Sequence, residues 1–338
     1  MEFIDVSKAL GMVLGQDLTR IVPGEFNGVA FKKGHIIKAE DISMLRSMGK
    51  NNIYVMEIAS GYLHENDAAE QLTQQVAHHE LTYMDVAEGK VNIKAHCRGL
   101  LKIDSERLLQ INMLEGVALS TLHNDSPVQL GELVASAKII PLVLPEETIA
   151  QVKKIGAGKP LIHIIPLATK KAGLIITGNE VYHGIIEDKF EAVIKSKFAA
   201  LGSEVTETIF LPDDADLIAE SIKMLAGKND MVFVTGGMSV DPDDVTTVGV
   251  EKAGAKSAVY GTPVLPGAMF MVAYLGSVTI LGIPACGMFR KVTVLDVVLP
   301  KVLVGESITR QYIASLGHGG LCRQCVDGCH YPHCSFGK

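Results

Sequence analysis

From Lys171 onward the chain alternates short apolar runs with amphipathic segments, and this alternation limits the fold more than any other feature. "GLIIT", Gly173 to Thr177, is a continuous apolar run, the pattern of a strand buried on both faces. Phe190, Val193, Ile194, Phe198 and Leu201 then share one helical face, which Gly202 closes. "SEVTETIF" alternates like a strand. "DDADLIAESIKMLAG" opens with acidic caps and reads as a second amphipathic helix. Met231 to Val234 is another apolar run, ending in a double glycine, and "SVTILGIPA" is a further strand. "MFRKVTVLDVVLPKVLVG" is expected to lead through a long apolar helix. Strand–helix alternation of this kind predicts an α/β fold with a doubly wound, mostly parallel sheet.

The first half is organised differently. Residues 1–65 mix short apolar runs with turns, and a helix capped by Asp41 and stopped by Gly49 precedes the strand "NIYVMEI". "GYLHENDAAEQLTQQVAHHE" reads as a polar surface helix. Residues 66–168 suggest an α+β middle domain, with strands in "KVNIKAHCRGLLKI" and "ELVASAKIIPLVL" and a helix in "DSERLLQINML". Residues 169–310 form the α/β domain, and 311–338 a Gly- and Cys-rich tail without periodicity.

Hydrophobic residues make up 48% of the 338, enough for a sizeable core. With no tryptophan, aliphatic side chains must fill it. The net charge of −7 argues against sequence-independent nucleic-acid binding, which needs a basic face. No apolar run reaches the ~18 residues of a membrane span, and the acidic start "MEFIDVSKALGMVLG" lacks a signal-peptide layout. A cytoplasmic protein is expected.

In an open α/β sheet, ligands bind at the carboxyl ends of the strands. "TGNE" (Thr177 to Glu180) and "TGGMS" (Thr235 to Ser239) both follow buried strands. Their glycines let backbone N–H groups approach an anion, and Thr177 and Ser239 add hydroxyls. Three aspartates follow, Asp241, Asp243 and Asp244. They either form a solvated, helix-capping loop or hold Mg²⁺ against a substrate phosphate, with Asp244 as the first choice of ligand. Beyond Pro284, a helix whose first turn holds Arg290 and Lys291 is expected to offer a further phosphate site.

Cys322, Cys325, Cys329 and Cys334 follow the spacing C-x2-C-x3-C-x4-C. Crowded thiols in a reducing compartment point to a metal, either zinc or an iron–sulfur cluster. His318, His330 and His333 are spare nitrogen ligands. Cys97 and Cys286 read as small apolar residues, although Cys286 adjoins the candidate pocket.

"TGNEVYHGIIED", "LPDD", "DMVFVTGGMSVDPDDVT", "PVLPGAM" and "LGIPAC" together resemble the molybdopterin-binding domain of molybdenum-cofactor biosynthesis proteins. That family includes molybdopterin adenylyltransferases, molybdopterin molybdotransferases and gephyrin. The likeness covers about 171–305, with the five motifs in the family's order. "GMVLGQDLTRIVPGEF" and "KKGHIIKAEDISMLRSMGKNNIYV" resemble molybdotransferase flanking segments more weakly.

The resemblance implies a sheet that binds a pterin dithiolene phosphate, with Mg²⁺ assisting a step on phosphate and molybdate. It assigns catalysis and metal binding to Asp244; Asp241 as a second metal ligand is read from the aspartate cluster itself. Gly236, Gly237 and Ser239 become the phosphate- and pterin-contacting turn. Thr177, Gly178 and Glu180 form the first loop, Asp213 and Asp214 the acidic pair, and Pro266 and Gly267 the proline–glycine loop. Pro284 and Arg290 join the candidate cofactor-binding residues from the reading of the turn and its cations, not from the resemblance. The family pattern has glycine where Asp241 stands, lysine and proline near Ala268 and Met269, and glycine at Ala285.

Three readings follow. The first is an enzyme inserting molybdate into molybdopterin or its adenylylated form. The second is a non-catalytic binding or delivery protein that meets a molybdoenzyme partner. The third is a domain that binds an ADP-ribose-like nucleotide or cleaves its pyrophosphate. The family also implies a homo-oligomer.

Overall fold

The computed structural model describes residues 2–22, 25–238 and 244–338. Ser239, Asp241 and Asp243 lie outside the described residues. The chain divides into two compact units. The first comprises 1–97, 102–122 and 130–163; the second comprises 98–101, 123–129 and 164–338.

The first unit is built from antiparallel sheets. Glu2–Asp5, Asn52–Met56 and Val13–Leu14 form one of three strands; Val117–Thr121, Leu133–Ile139, Lys90–Ala95 and Leu81–Tyr83 form one of four. Helix Glu65–Val76 departs from the expected surface helix. Ala68, Ala69, Leu72 and Val76 are fully buried, because this face packs on the four-stranded sheet. The polar letters of "ENDAAEQLTQQV" conceal an apolar stripe of small residues, repeating at three and four positions.

The second unit carries the doubly wound sheet. Its strands are β1 (Lys171–Thr177), β2 (Glu204–Leu211), β3 (Met231–Thr235), β4 (Lys256–Tyr260), β5 (Met271–Leu275) and β6 (Val278–Ile283). The spatial order is β2–β1–β3–β6–β5–β4. β2, β1, β3 and β6 are parallel neighbours; β5 runs antiparallel to β6 and to β4. Helices α1 (Phe190–Ala200), α2 (Ala215–Ala226), α3 (Thr246–Lys252), α4 (Val294–Leu303) and α5 (Arg310–Ser315) cover it.

Strand alternation sorts the core into two layers. Leu174, Ile176 and Phe233 pack with Phe190, Ile194 and Phe198 of α1 and with Leu295, Val298 and Leu299 of α4. Ile175, Val232, Val234 and Ile280 pack with Ile218, Ile222 and Leu225 of α2 and Val250 of α3. Gly173 occurs in β1 because a Cβ there would lie 2.7 Å from Leu225. With both faces covered, every residue of β3 is buried, which explains its unbroken apolar run. Among the described residues no helix is long and apolar enough to cross a membrane.

One expectation is corrected here. Arg290 and Lys291 do not sit in a helix's first turn. A 3₁₀ turn, Ala285–Met288, follows β6, and α4 starts only at Val294. Thr293 and Asp296 form a capping box that sets this start, leaving Arg290 and Lys291 in the connecting segment.

Candidate functional site

The chain leaves β1 to form β2 on one side, then crosses to β3 on the other. The crevice at the carboxyl ends of β1 and β3 is therefore the topological switch point. Several side chains meet there. The Thr177 hydroxyl donates to the Thr235 carbonyl at 3.1 Å and lies 3.2 Å from the Thr246 hydroxyl. All three threonines are buried. The Asp213 carboxylate accepts the Asn179 amide at 3.0 Å, and the Asn179 side-chain oxygen accepts the Asp213 amide at 3.2 Å. Asp214 caps α2, accepting from the amides of Asp216 and Leu217.

The open cavity lies one strand further on, beside the ends of β3 and β6. Its volume is about 510 Å³. It is lined by Gly236, Gly237, Met238, Asp244, Leu265–Met269, Pro284–Cys286 and Arg290. Gly236, Gly237, Asp244, Pro266, Gly267, Pro284 and Arg290 are thus brought together on one wall system. Thr177, Gly178, Glu180, Asp213 and Asp214 are not among the lining residues. Thr177, Asp213 and Asp214 are instead engaged in the bonds just described, and Glu180 is exposed on the short helix Asn179–Tyr182.

Each wall has a local reason for its shape. Gly236 and Gly237 have φ of +86° and +52°. A Cβ on Gly236 would lie 2.3 Å from the Thr177 carbonyl oxygen, and one on Gly237 would lie 2.7 Å from the Thr246 hydroxyl. Glycine is needed for both the conformation and the space. The Thr246 amide, donating to the Gly237 carbonyl at 3.1 Å, ties the turn to α3. Gly267 has φ +133°, and a Cβ there would meet Val294 at 2.5 Å. The Val294 amide donates to the Pro266 carbonyl at 3.2 Å, so the proline–glycine loop rests on the start of α4.

The described lining residues include one carboxylate, Asp244, and one guanidinium, Arg290. Magnesium commonly takes one or two protein carboxylates and fills its shell with water and phosphate, so Asp244 fits as a single-carboxylate anchor. Burial pushes the Cys286 thiol above the ordinary cysteine range, against a smaller opposing pull from its own amide and Arg290.

The tail folds beside this site. All four tail cysteines line a second cavity, of about 290 Å³, which shares Pro266 and Arg290 with the first. Arg290 Nη1 donates to Gln324 Oε1 at 2.9 Å. Ligand atoms of Cys325, Asp327 and His330 lie within 4.8 Å of one another. In the first unit, His78, His79 and Glu80 do the same. Sequence reasoning passed over that trio as part of a helix; the contiguous "HHE" was the available signal. Met238, Leu265 and Gln324 were also missed, because only their tertiary neighbours distinguish them.

Residues 173–303 match a family model described as a probable molybdopterin binding domain. Residues 3–57 match one described as a domain of unknown function. The chain is similar to a protein of Archaeoglobus fulgidus, 36% identical over 80 residues, covering 24% of this chain and 35% of that one. It is also similar to a CinA-like protein of Desulfosudis oleivorans, 38% identical over 88 residues, covering 26% and 21%. The chain therefore spans 35% or less of the length of these curated relatives. Similar solved structures include the molybdopterin biosynthesis enzyme MoaB of Thermus thermophilus, 18% identical, covering 41% of this chain and 98% of that one with TM-score 0.35. Another is CinA of Thermoplasma acidophilum, 18% identical, covering 40% and 98% with TM-score 0.36. The match to the probable molybdopterin binding domain encompasses the double-glycine turn, the proline–glycine loop and the Pro284 turn that line the larger cavity.

Proposed function

We propose that the larger cavity binds molybdopterin or its adenylylated form, within molybdenum-cofactor biosynthesis. The observation that carries this reading is the convergence of the Gly236–Gly237 turn, Asp244 and Arg290 on one cavity inside the matched segment. A volume of about 510 Å³ suits a ligand of that size. The left-handed glycines admit a phosphate to the backbone amides, and the Arg290 guanidinium is a charged partner for it. Asp244 would hold Mg²⁺, which would bridge carboxylate and phosphate and offset their charges. Molybdate is the second substrate in the catalytic form of this proposal.

The testing experiment is an anaerobic titration of the full chain with molybdopterin, with and without Mg²⁺. It is repeated on Asp244→Ala and followed by an assay for molybdenum insertion. Binding that Mg²⁺ strengthens in wild type but not in Asp244→Ala supports the metal role. Molybdenum insertion that the substitution abolishes supports the enzyme.

A binding or delivery protein is the second reading, and the cavity wall favours it. Ala268 and Met269 line the cavity where the resemblance expects a lysine and a proline, and Ala285 lines it where glycine is expected. Binding without insertion would select this reading. Binding of ADP-ribose with no competition from the pterin would select a nucleotide ligand and reject both.

A further inference from the structure

The four tail cysteines lie within thirteen positions of sequence, and the fold places all of them on one cavity wall. This tail is built onto the second unit. Phe336 is 4% exposed and packs with Tyr331 against the core around α4. The Tyr331 hydroxyl donates to the Asp296 carbonyl at 2.8 Å. Cys322 and Cys334 are half-buried against the same cluster.

The first pair has the geometry of a thiolate turn. Gln324, between Cys322 and Cys325, has φ +52°, uncommon for a residue with a Cβ. That conformation aims its amide back at Cys322 Sγ, 3.5 Å away. Hydrogen bonds to the sulfurs are among the contacts that tune a metal–thiolate site. Arg290, Lys291 and Arg323 line the same cavity. Four thiolates around Zn²⁺, or around a [4Fe–4S]²⁺ core, carry a net charge of about −2, which these cations would offset.

The same turn is sewn to the neighbouring cavity. The Leu265 amide donates to the Gly320 carbonyl at 2.8 Å, and the Cys322 amide donates to the Leu265 carbonyl at 2.8 Å. Leu265 and Pro266 line the larger cavity, and Gln324 holds the Arg290 guanidinium that both cavities share. A metal that closes the Cys322–Cys325 turn would immobilise all three.

We propose that Cys322, Cys325, Cys329 and Cys334 form a tetrathiolate metal centre, holding zinc or an iron–sulfur cluster, that fixes the Leu265–Pro266 wall and Arg290 of the adjacent cavity. The proposal does not depend on what that cavity binds. Asp327 and His330 pair with each other at 3.0 Å and their ligand atoms lie within 4.8 Å of that of Cys325, so His330→Ala tests the tetrathiolate set against a mixed one.

The test uses the full chain purified without oxygen. Zinc, iron and sulfide are measured with the absorption spectrum, and amide hydrogen exchange is followed by mass spectrometry. About one zinc without colour, or about four iron and four sulfide with a brown chromophore, is expected per chain. The double variant Cys325→Ser/Cys329→Ser should lose at least tenfold in metal, and His330→Ala should keep it. The Leu265 and Cys322 amides should exchange at least tenfold faster in the metal-free form, with β1 and β3 unchanged. If the variant does not fold, chelator-stripped wild type supplies the metal-free form.

Wild type that takes up no stoichiometric metal after reconstitution with zinc, or with iron and sulfide, overturns the centre. Loss of metal in His330→Ala overturns the tetrathiolate set. Equal exchange with and without metal overturns the coupling. Failure of the cavity to bind a pterin is read separately and touches none of these outcomes.

Discussion

The hydroxyl of Thr177, at the end of β1, lies 3.2 Å from the hydroxyl of Thr246, at the start of α3. It also donates to the Thr235 carbonyl, so one buried side chain joins two strands and a helix beneath the glycine turn. Thr177→Val keeps the shape and removes the bonds. It should cost about 1–3 kcal/mol of stability, because polar groups remain buried without their partner. Urea denaturation measures this directly. An unshifted midpoint would mean that the hydroxyl pair contributes nothing.

Gly236 and Gly254 separate conformational strain from space. Their φ values are nearly equal, +86° and +87°. A Cβ on Gly236 would lie 2.3 Å from the Thr177 carbonyl oxygen, whereas one on Gly254 meets nothing within 4 Å. Gly254→Ala should cost about 1 kcal/mol, the conformational part alone. Gly236→Ala should cost clearly more, about 2–4 kcal/mol, since backbone must move. Equal losses in thermal or urea denaturation would contradict the clash.

Lys301 of α4 binds two carboxylates, Asp125 at 3.0 Å and Glu306 at 2.6 Å, and lies over the Tyr312 ring at 4.6 Å. The ammonium is largely buried, while both carboxylates are partly exposed. Lys301→Met should destabilise by about 1–3 kcal/mol, below the cost of breaking a fully buried pair. Because Asp125 belongs to the 123–129 segment of this unit, exchange of amides in that segment should also accelerate. Unchanged exchange there would show that the segment is held by other contacts.

Burial raises the Cys286 thiol. Below the ordinary cysteine range the thiol is neutral both folded and unfolded, so its burial costs no ionisation and its contribution to stability is fully present. As pH rises through the folded value, that contribution is lost, because the unfolded chain ionises first. Alkylation by iodoacetamide, read by peptide mass spectrometry, should therefore be slow at Cys286 near neutral pH. It should rise at a higher pH than for a free cysteine. Rapid labelling at neutral pH would place the thiolate, not the thiol, on the cavity wall.

Arg290 is exposed, so its removal should leave stability within about 0.5 kcal/mol. If the cavity takes a phosphate-bearing pterin, Arg290→Ala should weaken binding about 10–100-fold, as loss of a charge-assisted bond does. Arg290→Lys should recover only part, since a point charge replaces a planar fork. A titration in which all three proteins bind alike would remove Arg290 from the site.

The second unit was readable because each of its elements repeats a single local pattern. The unbroken apolar runs of β1 and β3 require two covered faces, and the spacing of Phe190, Ile194 and Phe198 requires a helix. The glycine turns were equally readable, since only glycine suits their conformation. Helix Glu65–Val76 was less so, because alanine and threonine look polar or neutral in sequence and pack like core residues against a sheet. The start of α4 was misplaced because Thr293 and Asp296 stop helix extension more firmly than Arg290 and Lys291 promote it.

The sequence by itself therefore determined which segments become strands, which helices cover them and where the backbone turns without a side chain. Tertiary structure decided which of those turns faces open space. Thr177 and Thr246 meet at the β1–β3 crevice, Asp213 is bonded to Asn179, and the cavity that gathers Gly236, Asp244 and Arg290 lies beside β3 and β6. It also decided that the tail cysteines adjoin that cavity through Leu265 and Arg290. Periodicity is a property of neighbours along the chain, whereas a hydrogen bond across 69 or 34 positions exists only once the sheet has formed.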